Sequence, residues 1–303
     1  MPSNVCGTPP SHMKTTLALL VPFLALSSAR AALISLNFSG AITQPQQSAF
    51  ERAAGYWNST ITGYDLIYDG NGVETPHALQ ITVSVPVMDG VGGILGSAGP
   101  VTAAYYDDNP LGQPTHALWY ASTGEMEFDS SDVDWMIAAG TFDGVVLHEM
   151  AHVLGFGTLW EYNNDLNNTQ YDLYVAGSGQ YTGPNALREW QTEFSQPAAA
   201  FVPVELGGGD GTANGHWDEV DGGLELTGML GAGGLDLRSE LMTGWASDMF
   251  FVSRTTLGAM DDLGYVVDYS KAGVVPEVSV AAYFGLALAF LGRGYRTRRV
   301  CRP

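Results

Sequence analysis

The sequence predicts an α+β fold: strands and helices interleaved in the first half, then a loop-rich second half that closes on one helix. Runs of alternating apolar side chains crowd the region before residue 130. One long apolar helix is written at 144–154 (GVVLHEMAHVL). After Gly157 the chain turns rich in Gly, Asn and Asp, with GGGDG at 207–211 and GAGG at 231–234. Such residues favour turns over regular structure.

In chain order, 33–38 (LISLNF) alternates as a strand should. Residues 46–57 (QQSAFERAAGYW) place Phe50, Ala53, Ala54 and Trp57 on one helical face. Leu, Ile and Val alternate through 79–87 (LQITVSVPV), the strongest strand signal. Weaker strands are expected at 101–106 and 117–120, and a short one at 124–128 (GEMEF). Ser130 or Ser131 is placed to cap a helix running to about Ala139. The helix at 144–154 stops at Gly155, and a final helix covers 253–263 (SRTTLGAMDDL) before Gly264.

Both ends read as processing signals. Met13 and Lys14, an apolar run at 17–26 and the small residues at 28–32 have the order of a secretory signal peptide, assigned to 1–31. Translation starting at Met13 fits the same pattern. At the other end the apolar core SVAAYFGLALAFL precedes Arg293, Arg296, Arg298, Arg299 and Arg302. Residues 272–303 are therefore expected to be a sorting signal or a membrane anchor, the short apolar run favouring transient association. The domain between, 32–271, divides by composition into 32–155 and 156–271. Between Arg30 and Arg293 there are 5 basic and 32 acidic residues, a formal charge of 5 − 32 = −27. That excess repels nucleic acid phosphates. The only cysteines, Cys6 and Cys301, lie in the two ends, so the domain itself is expected to have no disulfide.

The chemistry concentrates at His148-Glu149-Met150-Ala151-His152. Positions i and i+4 of a helix share a face, so both imidazoles reach one cation, and Glu149 beside them can take a proton from water. Gly155 permits the positive φ that lets the chain leave the helix sharply. A catalytic zinc needs three protein ligands and one open position. His216, in NGHWDE at 214–219, is the favoured third ligand, with Glu161 and Glu189 as carboxylate alternatives. Asp218 and Glu219 are candidates to orient it. His77 and His116 read as loop histidines, and His12 falls in the signal peptide.

With HExxHxxGFG, GHWDE and ELMTG in view, the chain resembles the leishmanolysin family of zinc peptidases, within the metzincin clan. The short metzincin form places a third His where this chain has Thr158. Leishmanolysin-type enzymes insert about sixty residues there, and here residues 156–215 separate Gly155 from His216. The resemblance spans about 138–265. It implies a metzincin-like fold, a twisted mixed sheet with the active-site helix above a loop-rich subdomain. It also implies zinc on His148, His152 and His216, Glu149 as general base, Met242 as an apolar floor, and hydrolysis of protein or peptide substrates. By the same analogy, an edge strand near 124–128 would pair with the substrate backbone. The tail, with Val275-Pro276-Glu277 before its apolar run, resembles the PEP-CTERM sorting signal of Gram-negative bacteria, with Val278 where a Pro is usual. That implies export to the surface or medium and processing by an exosortase-type enzyme. Calcium is a further candidate ligand, around 163–172. Two other readings are an exported surface or matrix protein with a purely structural zinc, and a carbohydrate-binding adhesin. Structural zinc usually takes four ligands, often cysteines, which the middle of this chain lacks.

Overall fold

The computed structural model describes residues 33–65, 78–107, 117–162, 173–209, 211–219, 223–247 and 249–275. The expectations about the signal peptide, most of the tail, His77, His116 and the calcium stretch at 163–172 lie outside them. In chain order the elements are β1 (Ile34–Phe38), α1 (Gln44–Thr60), β2 (Ile61–Tyr64), β3 (Leu79–Ser84), β4 (Gly96–Asp107) and β5 (Ala117–Phe128). Then come α2 (Ser130–Ala139), α3 (Phe142–Leu154), β6 (Gln180–Tyr181), α4 (Pro184–Glu193) and β7 (Val202–Pro203). The last are β8 (Phe251–Val252), α5 (Arg254–Asp262), β9 (Tyr265–Val267) and β10 (Gly273–Val274).

Four strands form a mixed sheet in the order β1-β3-β5-β4; β1, β3 and β5 run parallel and β4 antiparallel. Alternation in β3 sends Leu79, Ile81 and Val83 inward, where all three are buried. Helix α1 begins with a capping box, the Thr43 N–H donating to Gln46 Oε1 at 2.8 Å. Its apolar face (Ala49, Phe50, Ala53, Trp57) is buried, and the Trp57 indole N–H donates to Leu147 O at 3.2 Å, fixing α1 against α3.

Helix α3 ends in a Schellman turn. The Gly155 N–H reaches His152 O at 3.1 Å and the Phe156 N–H reaches Ala151 O at 3.0 Å, with Gly155 at φ 115°. The Tyr265 hydroxyl, on β9, donates to the freed Leu154 O at 2.8 Å. Strand β9 pairs antiparallel with β2, which brings residues 265–267 beside the segment that follows α1. Strand β10 pairs with β8, and the Val275 N–H donates to Phe250 O, so the fold runs past the expected limit at 271.

Other expectations are corrected. The pieces at 117–120 and 124–128 are one strand, β5, continuous through Ser122 and Thr123. Residues 124–128 are not an edge: β5 is paired with β3 on one side and β4 on the other. The cap of α2 is Asp129, whose carboxylate accepts from the Ser131 N–H, rather than either serine. The second half, expected to be nearly all loop, contains α4, started by Pro184 in its first turn.

Candidate metal centre

The segment leaving α3 and the arm carrying His216 are held together by aromatic packing. Phe156 meets Trp217 edge-on at 5.0 Å, Trp160 stacks on Trp217 at 5.4 Å, and Tyr181 lies 4.8 Å from Trp160. All four rings are buried. Trp217 is also tied by its backbone N–H to Met242 O at 2.9 Å and by its indole N–H to Thr256 Oγ1 at 2.9 Å. Gly157, at φ 72°, lets the two segments touch: a Cβ there would run into the Gly215 backbone.

This packing brings His216 to the histidines of α3. The Nε2 atoms of His148, His152 and His216 lie 3.0 Å from one another, pair by pair. Each Nδ1 faces a backbone carbonyl: His148 to Leu241 O at 2.6 Å, His152 to Phe156 O at 2.9 Å, His216 to Thr212 O at 2.8 Å. A carbonyl only accepts, so each Nδ1 carries the proton and each Nε2 presents a lone pair; the tautomers follow from the bonding pattern. Three lone pairs converging at 3.0 Å repel one another, and no proton is left among them to share. A cation satisfies all three. The donor set, three neutral imidazoles with their outer nitrogens fixed, suits zinc or a neighbouring transition ion.

Electrostatics agree. Burial, then the neighbouring His216, lowers the His148 pKa to about 3, against the pull of Leu241 O. His152 is held well below its ordinary value by burial and by both other rings, and burial lowers His216. The rings therefore stay neutral, the form that binds metal. His152 and His216 are buried and His148 is half-buried, opening on a cleft of about 810 Å³. Glu149 lines the same cleft, and burial raises its pKa to about 8. Gly96, at the start of β4, backs onto it, since a Cβ there would stand 3.2 Å from Glu149 Cγ.

The remaining sequence candidates fall elsewhere. Glu161 is exposed and accepts from the Ala176 N–H; Glu189 is buried against Arg254 at 2.7 Å. Neither joins the three imidazoles. Asp218 does not orient His216, because Thr212 O already occupies Nδ1, and Asp218 itself is exposed. Glu219 is buried with no hydrogen-bond partner for either oxygen among the described residues. Met242 is fully buried on the turn that supplies Leu241 O. The orienting groups that sequence reading missed are the carbonyls of Leu241, Phe156 and Thr212. Backbone acceptors carry no residue-type signal, although Leu241 and Phe156 sit inside the ELMTG and GFG stretches.

A protein-family model described as Leishmanolysin, of the peptidases, matches residues 120–283. The match takes in most of β5, all of α3, the arm bearing His216 and the turn at Met242. No curated protein matches the chain.

Proposed function

The chain belongs to the leishmanolysin family of metallopeptidases, and from that premise we propose that it is a zinc-dependent endopeptidase with Glu149 as general base. The observation that carries the reading is the triangle of Nε2 atoms at 3.0 Å, every outer nitrogen of which is committed to a carbonyl. His148, His152 and His216 would hold the ion. Bound there, zinc supplies Lewis acidity, lowering the pKa of a water to about 7 and polarising a peptide carbonyl.

The chain's own residues do the rest. Glu149 accepts the proton of the attacking water and returns it to the leaving amine. The substrate lies extended along β4, which among the described residues is paired only on its β5 side and whose first residue abuts Glu149. Some metzincins carry a Tyr two residues after the turn Met; here that position is Gly244, which offers no side chain to the reaction.

Export is part of the same reading: a signal peptide at 1–31 and a sorting tail that begins after β10, transiently membrane-associated and removed by an exosortase-type enzyme. Support comes from the order of basic, apolar and small residues at the start and the apolar-then-arginine tail. The mass of the protein recovered from an expressing Gram-negative host distinguishes a trimmed chain from one that keeps both ends.

The central test is Glu149→Gln. We expect about one zinc per chain in wild type and variant, and peptidase activity about 10²–10⁴-fold lower in the variant. Wild-type activity should also disappear with phenanthroline. Peptide hydrolysis that survives both the substitution and the chelator would remove Glu149 and the metal from the reaction.

A further inference from the structure

Glu240 is fully buried, and the peptidase mechanism gives it no part. Four neutral donors surround its carboxylate. Oε1 accepts from the Ser253 N–H at 3.0 Å, the Ser253 hydroxyl at 2.8 Å and the Thr256 hydroxyl at 2.6 Å. These three fix the side chain and aim Oε2, which accepts from the Met242 N–H at 2.6 Å.

That N–H belongs to the peptide unit joining Leu241 to Met242. The carbonyl of the same unit is Leu241 O, the acceptor for His148 Nδ1–H at 2.6 Å. One peptide group thus stands between a buried carboxylate and a histidine of the triangle, with a short hydrogen bond at each end. Negative charge at the N–H side polarises the amide and makes its oxygen a stronger acceptor, and bonds in series strengthen one another in a low-dielectric interior. Metal-binding histidines commonly donate their outer N–H to a carboxylate, which fixes the ring and raises its basicity.

The geometry points to Glu240 as a positioning residue that acts on His148 through the Leu241–Met242 peptide, a carboxylate–peptide–histidine relay that sets how tightly the triangle holds its metal. This rests on the reading of the three histidines as zinc ligands. It goes beyond that reading in giving Glu240, rather than the turn methionine, control of the first ligand. Ser253 and Thr256 serve the relay only by immobilising the carboxylate.

Glu240→Gln tests it. A glutamine keeps an oxygen for Ser253 and Thr256 but turns an NH₂ toward the Met242 N–H, two donors face to face. Zinc affinity, read by chelator competition, is expected to fall by about 10–100-fold, the cost typical of losing an outer partner of a metal ligand. In the zinc-loaded protein the His148 Nδ1 proton resonance is expected to move upfield while that of His152 stays in place. Ser253→Ala removes one hydroxyl donor and the α5 cap without touching the peptide unit. It should lower thermal stability and weaken zinc affinity by clearly less than Glu240→Gln does, because the Ser253 N–H and the Thr256 hydroxyl still hold Oε1. Wild-type zinc affinity in Glu240→Gln, or an equal loss in Ser253→Ala, overturns the relay. If Glu240→Gln does not fold, the zinc-loaded wild type decides: the Met242 amide proton should be strongly downfield and slow to exchange, and an ordinary shift overturns the proposal. Wild-type protein that binds no zinc would instead defeat the peptidase reading itself.

Discussion

At the scale of residues, the centre is defined by what the outer nitrogens of three histidines touch. Once Leu241 O, Phe156 O and Thr212 O take the Nδ1 protons, the inner lone pairs face one another in an arrangement that could hold an ion. His216→Ala leaves two ligands, one helical turn apart. Zinc affinity should then fall by more than the about 100-fold that losing an outer partner costs. The fold should persist, because Trp217 rather than His216 anchors the arm. Chelator competition together with near-UV circular dichroism checks both halves; full zinc retention would send the search for a third ligand elsewhere. Gly157→Ala forces a Cβ into the left-handed region against the Gly215 backbone. The conformational strain alone is about 1–2 kcal/mol. Thermal unfolding should register at least that loss, with zinc affinity reduced as the arm shifts; an unchanged melting temperature would mean that the two segments do not depend on this contact.

At the scale of elements, the cleft wall between β3 and β4 is held by a helix cap. The Asp129 carboxylate accepts from the Ser131 N–H of α2 and from the Asp89 and Gly90 N–H groups of the loop before β4. The amide bonds, that of Ser131 first, hold Asp129 well below the usual carboxylate range, against the opposing effect of burial. For an acid with a depressed folded pKa, stabilisation is present above the unfolded value, about 3.9, and is lost as pH falls toward the folded one. Urea midpoints measured from pH 7 down to pH 2 should fall more steeply for wild type than for Asp129→Asn, the two converging at the acid end. Parallel curves would show that the cap does not titrate with the fold. Elements also mark where the sequence was opaque. Helix α4 buries Ala186, Glu189 and Trp190. Its apolar stripe, Ala186, Leu187 and Trp190, is short, and its buried face also holds Glu189, a charge paired with Arg254 from α5 and with Arg188, so the helix does not stand out within a polar, turn-rich stretch. The outer position of β4 was equally hidden, because pairing order is a non-local property that neither strand's own residues encode.

At the scale of the whole molecule, a bound ion would join helix α3 to an arm sixty residues further along the chain. Any ligand that binds only the folded state stabilises it by mass action, by about 4 kcal/mol when free zinc is 1,000-fold above its dissociation constant. For a domain of this size that is a melting shift on the order of 10 °C. Chelation should produce that drop in wild type and little in His216→Ala, by scanning calorimetry; a chelator-insensitive wild type would show that the ion does not bridge the two segments. The sequence alone determined the helix of His148, Glu149 and His152, its stop at Gly155 and the spacing to His216, because helical periodicity and glycine's freedom at positive φ are local properties. Only the tertiary structure decided that a mixed sheet presents β4 to Glu149, that carbonyls rather than Asp218 face the outer nitrogens, and that Glu240 lies behind the Met242 peptide. Those facts depend on which distant segments pack together, and backbone acceptors look the same whatever side chain they carry.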